Sequence, residues 1–204
     1  MISQYIDYPL DLSYGVPRTP GIHLSGVIKV MAREAGLNRG KGDPNSPSLS
    51  DLISTTPPEK IGSCGPLMRC AFGYAMEEWL GRQLSRRGVD RPGEIEVDEV
   101  LMTPDGAEFL PDRILLHEIK GTFLSSKNPA TDQVKWMWQT AGYMYGLTET
   151  WGLPCTQVII HPFHIRGDKG IDPAYCPQLI EFDQQEIVDV WKEVQKYKSQ
   201  AEKE

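Results

Sequence analysis

Apolar positions along the chain recur with either the helical or the strand period. Helical spacing predicts four helices, over residues 23–36, 66–87, 128–147 and 184–200. Alternating or continuous apolar stretches predict strands over residues 94–102, 106–110, 113–120, 155–165 and 178–182. The first three strands would form an antiparallel meander, and Asp183 is suited to cap the last helix. This order of elements predicts an α/β fold, in which a mixed β-sheet is flanked by helices.

The helix predicted over residues 66–87 carries two adjacent acids that differ in their surroundings. Winding the segment at 100° per residue gathers one apolar face, formed by Phe72, Met76, Trp79, Leu80 and Gln83. Glu77 lies at the flank of this face, whereas Glu78 lies well round toward solvent. Glu77 is therefore predicted to be half-buried, with Gly73 leaving space beside it one turn earlier.

A proline–aspartate pair at positions 111–112 fits a tight turn between the second and third strands. In a hairpin closed by two residues, paired positions have a constant sum. Asp105 then lies opposite Glu118, with Cβ atoms roughly 5 Å apart, and Lys120 points to the same face. Because two opposed carboxylates repel each other unless a cation lies between them, a divalent metal is expected at this place.

Asp112 is the alternative to Asp105 as the acidic partner of Glu118, because it also precedes Glu118 and follows a proline. A hairpin that paired Asp112 with Glu118 would have to turn at Leu115, where no turn-forming residue stands. Asp105 is therefore the preferred partner.

The helix predicted over residues 128–147 has a polar stripe. Gln139 and Tyr143 are four residues apart and share one helical face, and Lys135 lies one turn before Gln139 on the same side. An ordinary amphipathic helix with a buried tyrosine would show the same spacing. Its position shortly after Glu118 and Lys120 favours a role in the same site over an ordinary amphipathic helix.

Four short segments follow one another in a recognisable order: Gly73-x-x-x-Glu77, Thr103-Pro-Asp-Gly106, Glu118-Ile-Lys120 and Gln139-x-x-x-Tyr143. Together they resemble the PD-(D/E)xK nuclease superfamily, in particular RecB-type and lambda exonuclease-like phage nucleases. The resemblance runs from about residue 68 to 147. It implies a restriction-endonuclease-like core and a single nuclease domain over residues 1–204, with an irregular N-terminal arm over about 1–65.

The resemblance also implies the roles of individual residues. The catalytic set would be Glu77, Asp105, Glu118, Lys120, Gln139 and Tyr143. Mg²⁺, for which Mn²⁺ can substitute, would be held by Glu77, Asp105, Glu118 and the carbonyl of Ile119, since hard cations prefer oxygen ligands. Lys120 would orient the attacking water or stabilise the developing negative charge.

A Mg²⁺-dependent DNA nuclease is the activity that the resemblance implies, namely an exonuclease in phage or bacterial DNA recombination, repair or processing. Its DNA contacts would go mainly to the backbone, and a recombination protein would be a further partner. Two alternatives stay open. One is a catalytically silent DNA-binding or scaffold protein on the same fold, and the other is a structure-specific endonuclease.

Charge changes this picture, because the net charge of −7 is unlike the basic footprint of most nucleic-acid-binding proteins. Arginines at positions 82, 86, 87 and 91, with lysines at 127 and 135, form a local basic island. Such an island is compatible with tracking a DNA backbone and equally with complementing a helix dipole. Trp136 and Trp138 could likewise either stack on nucleic-acid bases or pack in the protein core.

Cysteine and histidine spacing argues against other metal centres. The four cysteines at positions 64, 70, 155 and 176 contain no CxxC, so free thiols are expected rather than an iron–sulfur cluster. His161 and His164 fall on opposite faces of a strand, which is unfavourable for zinc. No apolar run approaches the roughly 20 residues of a membrane span, and the N-terminus does not resemble a signal peptide, so a cytoplasmic location without membrane contact is expected.

Overall fold

A computed structural model describes residues 19–37, 65–122, 127, 129–165 and 173–201, with the backbone alone for residues 65–71. The described residues form four α-helices, which are α1 (Leu24–Glu34), α2 (Gly65–Ser85), α3 (Val134–Trp151) and α4 (Gln184–Ala201). A short 3-10 helix, Ala130–Asp132, precedes α3. Together with the strands below, they confirm the predicted α/β fold with a mixed sheet flanked by helices.

Five strands form the larger sheet, and they are β4 (Gly106–Phe109), β5 (Ile114–Thr122), β6 (Gln157–His164), β7 (Ala174–Tyr175) and β8 (Gln178–Glu181). β5 pairs antiparallel with β4 and parallel with β6, while β7 and β8 both pair antiparallel with β6. The parallel pair needs a crossover connection, and α3 provides it. β5 is therefore central, and its residues have strands on both sides.

A smaller sheet contains β1 (Ile22–His23), β2 (Ile95–Val97) and β3 (Val100–Met102), in the order β1-β3-β2. The prediction of one continuous strand over residues 94–102 is wrong, and so is the meander built on it. The chain reverses at Asp98 and Glu99, which both have positive φ angles of 48° and 64°. α4 holds this turn, since Trp191 Nε1 donates to Asp98 Oδ2 at 2.9 Å and Lys198 Nζ donates to the Asp98 carbonyl at 3.1 Å.

The main core lies between one face of the larger sheet and three helices. Strands β5 and β6 contribute four fully buried aliphatic side chains, those of Ile114, Leu116, Val158 and Ile160. Buried residues of α1, α3 and α4 pack on them, so α1 belongs to this core although it falls within the first 65 residues. α4 begins as predicted, because Asp183 Oδ1 accepts the Gln185 N–H at 2.7 Å.

α2 covers part of the opposite sheet face through a second, smaller cluster. Leu80 and Leu84 are buried there with Ile119, and Phe163 packs against them. The predicted core face of α2 is wrong at Trp79, which is 53% exposed. The inward-facing stripe runs through positions 77, 80, 81 and 84, and Trp79 lies about 160° from Glu77 around the helix, on the outer side.

None of the helices in the described ranges is long and apolar enough to cross a membrane.

Candidate active site

The hairpin of β4 and β5 has the predicted register. Gly106 pairs with His117 and Ala107 with Leu116, and the Leu110 N–H donates to the Arg113 carbonyl at 2.9 Å across the turn. The next position along places Asp105 opposite Glu118. Asp112 lies exposed in the turn itself, so it cannot face Glu118.

Buried Glu118 on the central strand β5 and half-buried Asp105, just before β4, form a pair of acids. The Ile119 N–H donates to Asp105 Oδ2 at 2.7 Å and orients that carboxylate. Glu118 is 1% exposed, and its pKa is raised to about 8, first by burial and then by the charge of Asp105. Burial likewise raises the pKa of Asp105, with Lys120 acting in the opposite direction. One Glu118 oxygen, Oε2, has no hydrogen-bond partner among the described residues.

Lys120 connects the acid pair to α3. Its Nζ donates to Glu118 Oε1 and, at 3.0 Å, to Gln139 Oε1. Gln139 Nε2 in turn donates to the hydroxyl oxygen of Tyr143 at 2.7 Å. Burial works against the charge of Lys120, but Glu118 and Asp105 outweigh it, and the net pKa of Lys120 is raised. The lysine is therefore a fixed cation at neutral pH.

Glu77 approaches the same group from α2. It is half-buried, and its pKa is raised to about 7, first by burial and then by Asp105, although Arg91 and Lys120 oppose the shift. Glu78 is partly exposed and binds Arg82 at 2.8 Å. The predicted ranking of the two acids by burial is confirmed.

Gly121 allows α2 to approach β5 closely at Gly73. A Cβ at Gly121 would lie 3.3 Å from the Cα of Gly73, whereas a Cβ at Gly73 would meet nothing within 4 Å. The predicted space beside Gly73 is thus present. This close backbone approach brings the α2 segment that carries Glu77 next to the strand that carries Glu118 and Lys120.

One open cleft of about 600 Å³ gathers all of the predicted residues, namely Glu77, Asp105, Glu118, Ile119, Lys120, Gln139 and Tyr143. Lys135 is exposed at the start of α3 and does not line the cleft. The lining of the cleft also includes Tyr74, Arg91 and Thr103, none of which is among the predicted site residues.

Arg91 is the most consequential of these additions. Its Nη2 donates to the Glu77 carbonyl and its Nη1 to Glu78 Oε2, both at 3.2 Å. The guanidinium occupies the space that a side chain at position 81 would need, because a Cβ on Gly81 would overlap it. Asp90, the preceding residue, bridges to Ala107 of β4, so Arg91 ties α2 to the strand beside Asp105. Gly81 is the one signal in the sequence of such a close approach.

The donors present fit a hard divalent cation that keeps part of its water. In the described part of the chain, no three acidic, histidine or cysteine side chains form a closed metal-binding group. Mg²⁺ does not require one, since it is usually bound through one or two carboxylates and retained waters. Asp105 and Glu118 provide such oxygens, including the unpartnered Oε2 of Glu118.

The remaining candidates lie elsewhere. His117 Nδ1 and His161 Nε2 are 3.0 Å apart, and His161 Nδ1 contacts the Tyr175 hydroxyl at 2.7 Å, so this buried pair points away from the cleft. Cys155 is a free buried thiol, whose pKa burial raises to about 12, and Cys176 is also free. Cys64 and the side chain of Cys70 fall outside the described residues, while Trp136 and Trp138 pack against the main core.

Comparison with known proteins gives structural likeness at low identity. No protein-family model and no curated protein matches the chain. An alkaline exonuclease, LHK-Exo from Laribacter hongkongensis, is 18% identical over 89% of this chain and 88% of its own, with a TM-score of 0.46. LHK-Exo in complex with dAMP gives the same identity and coverage and a TM-score of 0.48. SSO0001 is 12% identical over 90% of this chain and 79% of its own, with a TM-score of 0.49. At such scores and identities, these structures assign no activity to the chain.

Proposed function

We propose that the chain is a metal-dependent nuclease that hydrolyses phosphodiester bonds in DNA, and that it acts as an exonuclease in recombination, repair or phage DNA processing in the cytoplasm. The observation that carries the proposal is the pairing of half-buried Asp105 with buried Glu118, with Lys120 bound beside them in an open cleft. Burying such charges costs stability, and apolar side chains of similar size would pack there at least as well. A chemical role explains their presence.

Each residue has a distinct task in this proposal. Glu77, Asp105, Glu118 and the Ile119 carbonyl would hold one or two Mg²⁺ ions. A bound Mg²⁺ supplies polarisation of the scissile phosphate and lowers the pKa of the attacking water. Hydrolysis forms one bond from the water oxygen to phosphorus and breaks the bond from phosphorus to the leaving oxygen.

The hydrogen bonds of Lys120 favour one of its two expected roles. A lysine that stays protonated cannot take a proton from water, but it can stabilise negative charge that develops on the phosphate. Gln139, itself bound to Tyr143, holds the ammonium group in place through the 3.0 Å bond. The acids next to Lys120 therefore keep it a cation, which is the form that this role requires.

Cleavage of end-labelled linear DNA and of closed circular DNA, each with Mg²⁺, Mn²⁺ or EDTA, tests the proposal. Metal-dependent loss of the linear substrate from its ends, with the circle intact, is the expected result. Nicking of the circle would instead support a structure-specific endonuclease. Binding of either DNA without any cleavage would support a catalytically silent DNA-binding protein. Asp112→Ala, in the exposed turn, is the matched control for Asp105→Ala.

A further inference from the structure

The sheet face that α2 covers only in part presents exposed apolar side chains. On this face Phe163 of β6 pairs with Tyr175 of β7, and Ile159 of β6 pairs with Leu179 of β8. Tyr175 is 44% exposed and Leu179 is 65% exposed. Large apolar side chains grouped on a sheet face are typical of surfaces that bind a ligand or partner.

Three aromatic rings form a fixed row across this face. The rings of Trp79 and Phe163 meet edge to face, with centroids 6.0 Å apart, and Phe163 stacks on Tyr175 at 4.7 Å. The Tyr175 hydroxyl is held by His161 at 2.7 Å, and His161 is held by His117 at 3.0 Å. Two of the three rings are therefore both exposed and held in position before any ligand binds.

Arginines lie on α2 and just beyond its end. Arg82 follows Trp79 by three residues, which places it on that side of the helix, while Arg86 and Arg87 stand in the turn that follows Ser85. Arg82 is paired with Glu78, whereas Arg86 and Arg87 are exposed and make no ion pair with a described residue. The charge of Arg87 acts on the Tyr175 hydroxyl, where it partly offsets the rise in the tyrosine pKa that burial causes.

We propose that Trp79, Phe163 and Tyr175, together with Arg86 and Arg87, form a binding platform for single-stranded nucleic acid. Unpaired bases stack on exposed aromatic rings while nearby arginines donate hydrogen bonds to the phosphates, and this binding is tolerant of sequence. A duplex fits less well, since its bases are already stacked on each other. A second copy of the chain is disfavoured, because a two-fold contact here would bring the same arginines together. The platform goes beyond the proposed cleavage, which takes place in the cleft.

Fluorescence anisotropy with a labelled thymidine oligonucleotide in EDTA tests the platform without any need for cleavage. Trp79→Ala and Tyr175→Ala should each raise the Kd for the single strand by about tenfold, the scale of one lost stacking contact. Tyr175→Phe keeps the ring and should retain binding. Trp151→Ala removes an exposed tryptophan that contacts Phe109 elsewhere on the surface, and it should leave the Kd unchanged.

Salt dependence tests the arginines separately. The plot of log Kd against log salt for the single strand should become shallower by about 0.7 for each of Arg86→Gln and Arg87→Gln. Circular dichroism and light scattering of each variant report its fold and its oligomeric state.

Equal affinity of wild type and Trp79→Ala for the single strand would overturn the platform, and so would a Trp79→Ala variant that changed oligomeric state. If DNA is cleaved but the variants bind the single strand as tightly as the wild type, the platform is wrong and the proposed function stands. If the variants bind more weakly but no DNA is cleaved, the proposed function is wrong and the platform stands.

Discussion

Glu118 should make the stability of the metal-free protein depend on pH. Its pKa is raised from the ordinary value of 4.5 to about 8, by burial first and by Asp105 second. A carboxyl whose pKa is higher in the folded state binds its proton more tightly there. It contributes stability that is fully present below the unfolded pKa and is lost as the pH rises through the folded pKa. Without metal, the free energy of unfolding should therefore fall between pH 5 and pH 9, and it should fall less in Glu118→Gln.

The expected size follows from these two pKa values. A single carboxyl that titrates at 4.5 unfolded and about 8 folded loses about 4 kcal/mol of stabilisation between pH 5 and pH 9, at about 1.4 kcal/mol per pKa unit. Glu118 is 1% exposed, so solvent does not screen its charge. Sharing of the proton with Asp105 and relaxation of the folded state reduce the effect, which makes this value an upper limit.

Urea unfolding of wild type and Glu118→Gln in EDTA, at pH 5, 7 and 9, measures the effect. At any one pH the difference between the two proteins also contains the altered contact with Lys120. In the wild type the lysine stays charged over this range because its pKa is raised, so the fall in wild-type stability with pH reports carboxyl protons and not the lysine. Parallel pH profiles would refute the reasoning. Mn²⁺ at a hundredfold excess over its Kd should stabilise the wild type by about 2.7 kcal/mol, and the variant by much less.

Three further predictions concern activity. Asp105→Ala should abolish metal binding by calorimetry and cleavage of labelled DNA while Asp112→Ala retains most activity; the opposite result would show that the hairpin register does not build the site. Lys120→Ala should bind metal and DNA normally but lose at least about 10²-fold in single-turnover rate, and near-normal turnover would remove its catalytic role. Glu77→Gln should lower that rate strongly and the partly exposed Glu78→Gln only weakly, so equal losses would argue against a role for Glu77.

Local rules were sufficient for the parts of the site that lie within one element or one turn. A two-residue turn leaves a single pairing for the strands on either side, so the position of Asp105 opposite Glu118 followed from counting. Strand alternation put Lys120 beside Glu118, and helical spacing put Gln139 beside Tyr143. What joined these pairs, the 3.0 Å bond between Lys120 and Gln139, depends on how α3 packs on β5, and only the resemblance to known nucleases indicated it.

Features that depend on distant contacts could not be predicted in this way. The turn at Asp98 and Glu99 has no glycine or asparagine, although both residues have positive φ angles. Side chains of α4, nearly a hundred positions later, hold it, as the bond from Trp191 shows. Arg91 is comparable, because its contacts with Glu77 and Glu78 arise only once α2 and β4 are packed.

The exposure of Trp79 follows from the face that α2 turns toward the sheet. Burying the largest apolar side chain of a helix is a sound default, since burial removes the most apolar surface from water. α2 instead buries the smaller stripe that runs from Glu77 to Leu84, and this phase lets a carboxylate enter the cleft. The phase that carries Glu77 inward leaves Trp79, two residues along, on the outside. The proposed cleavage uses the inward Glu77 and the proposed platform uses the exposed Trp79, so a single helix phase serves both proposals.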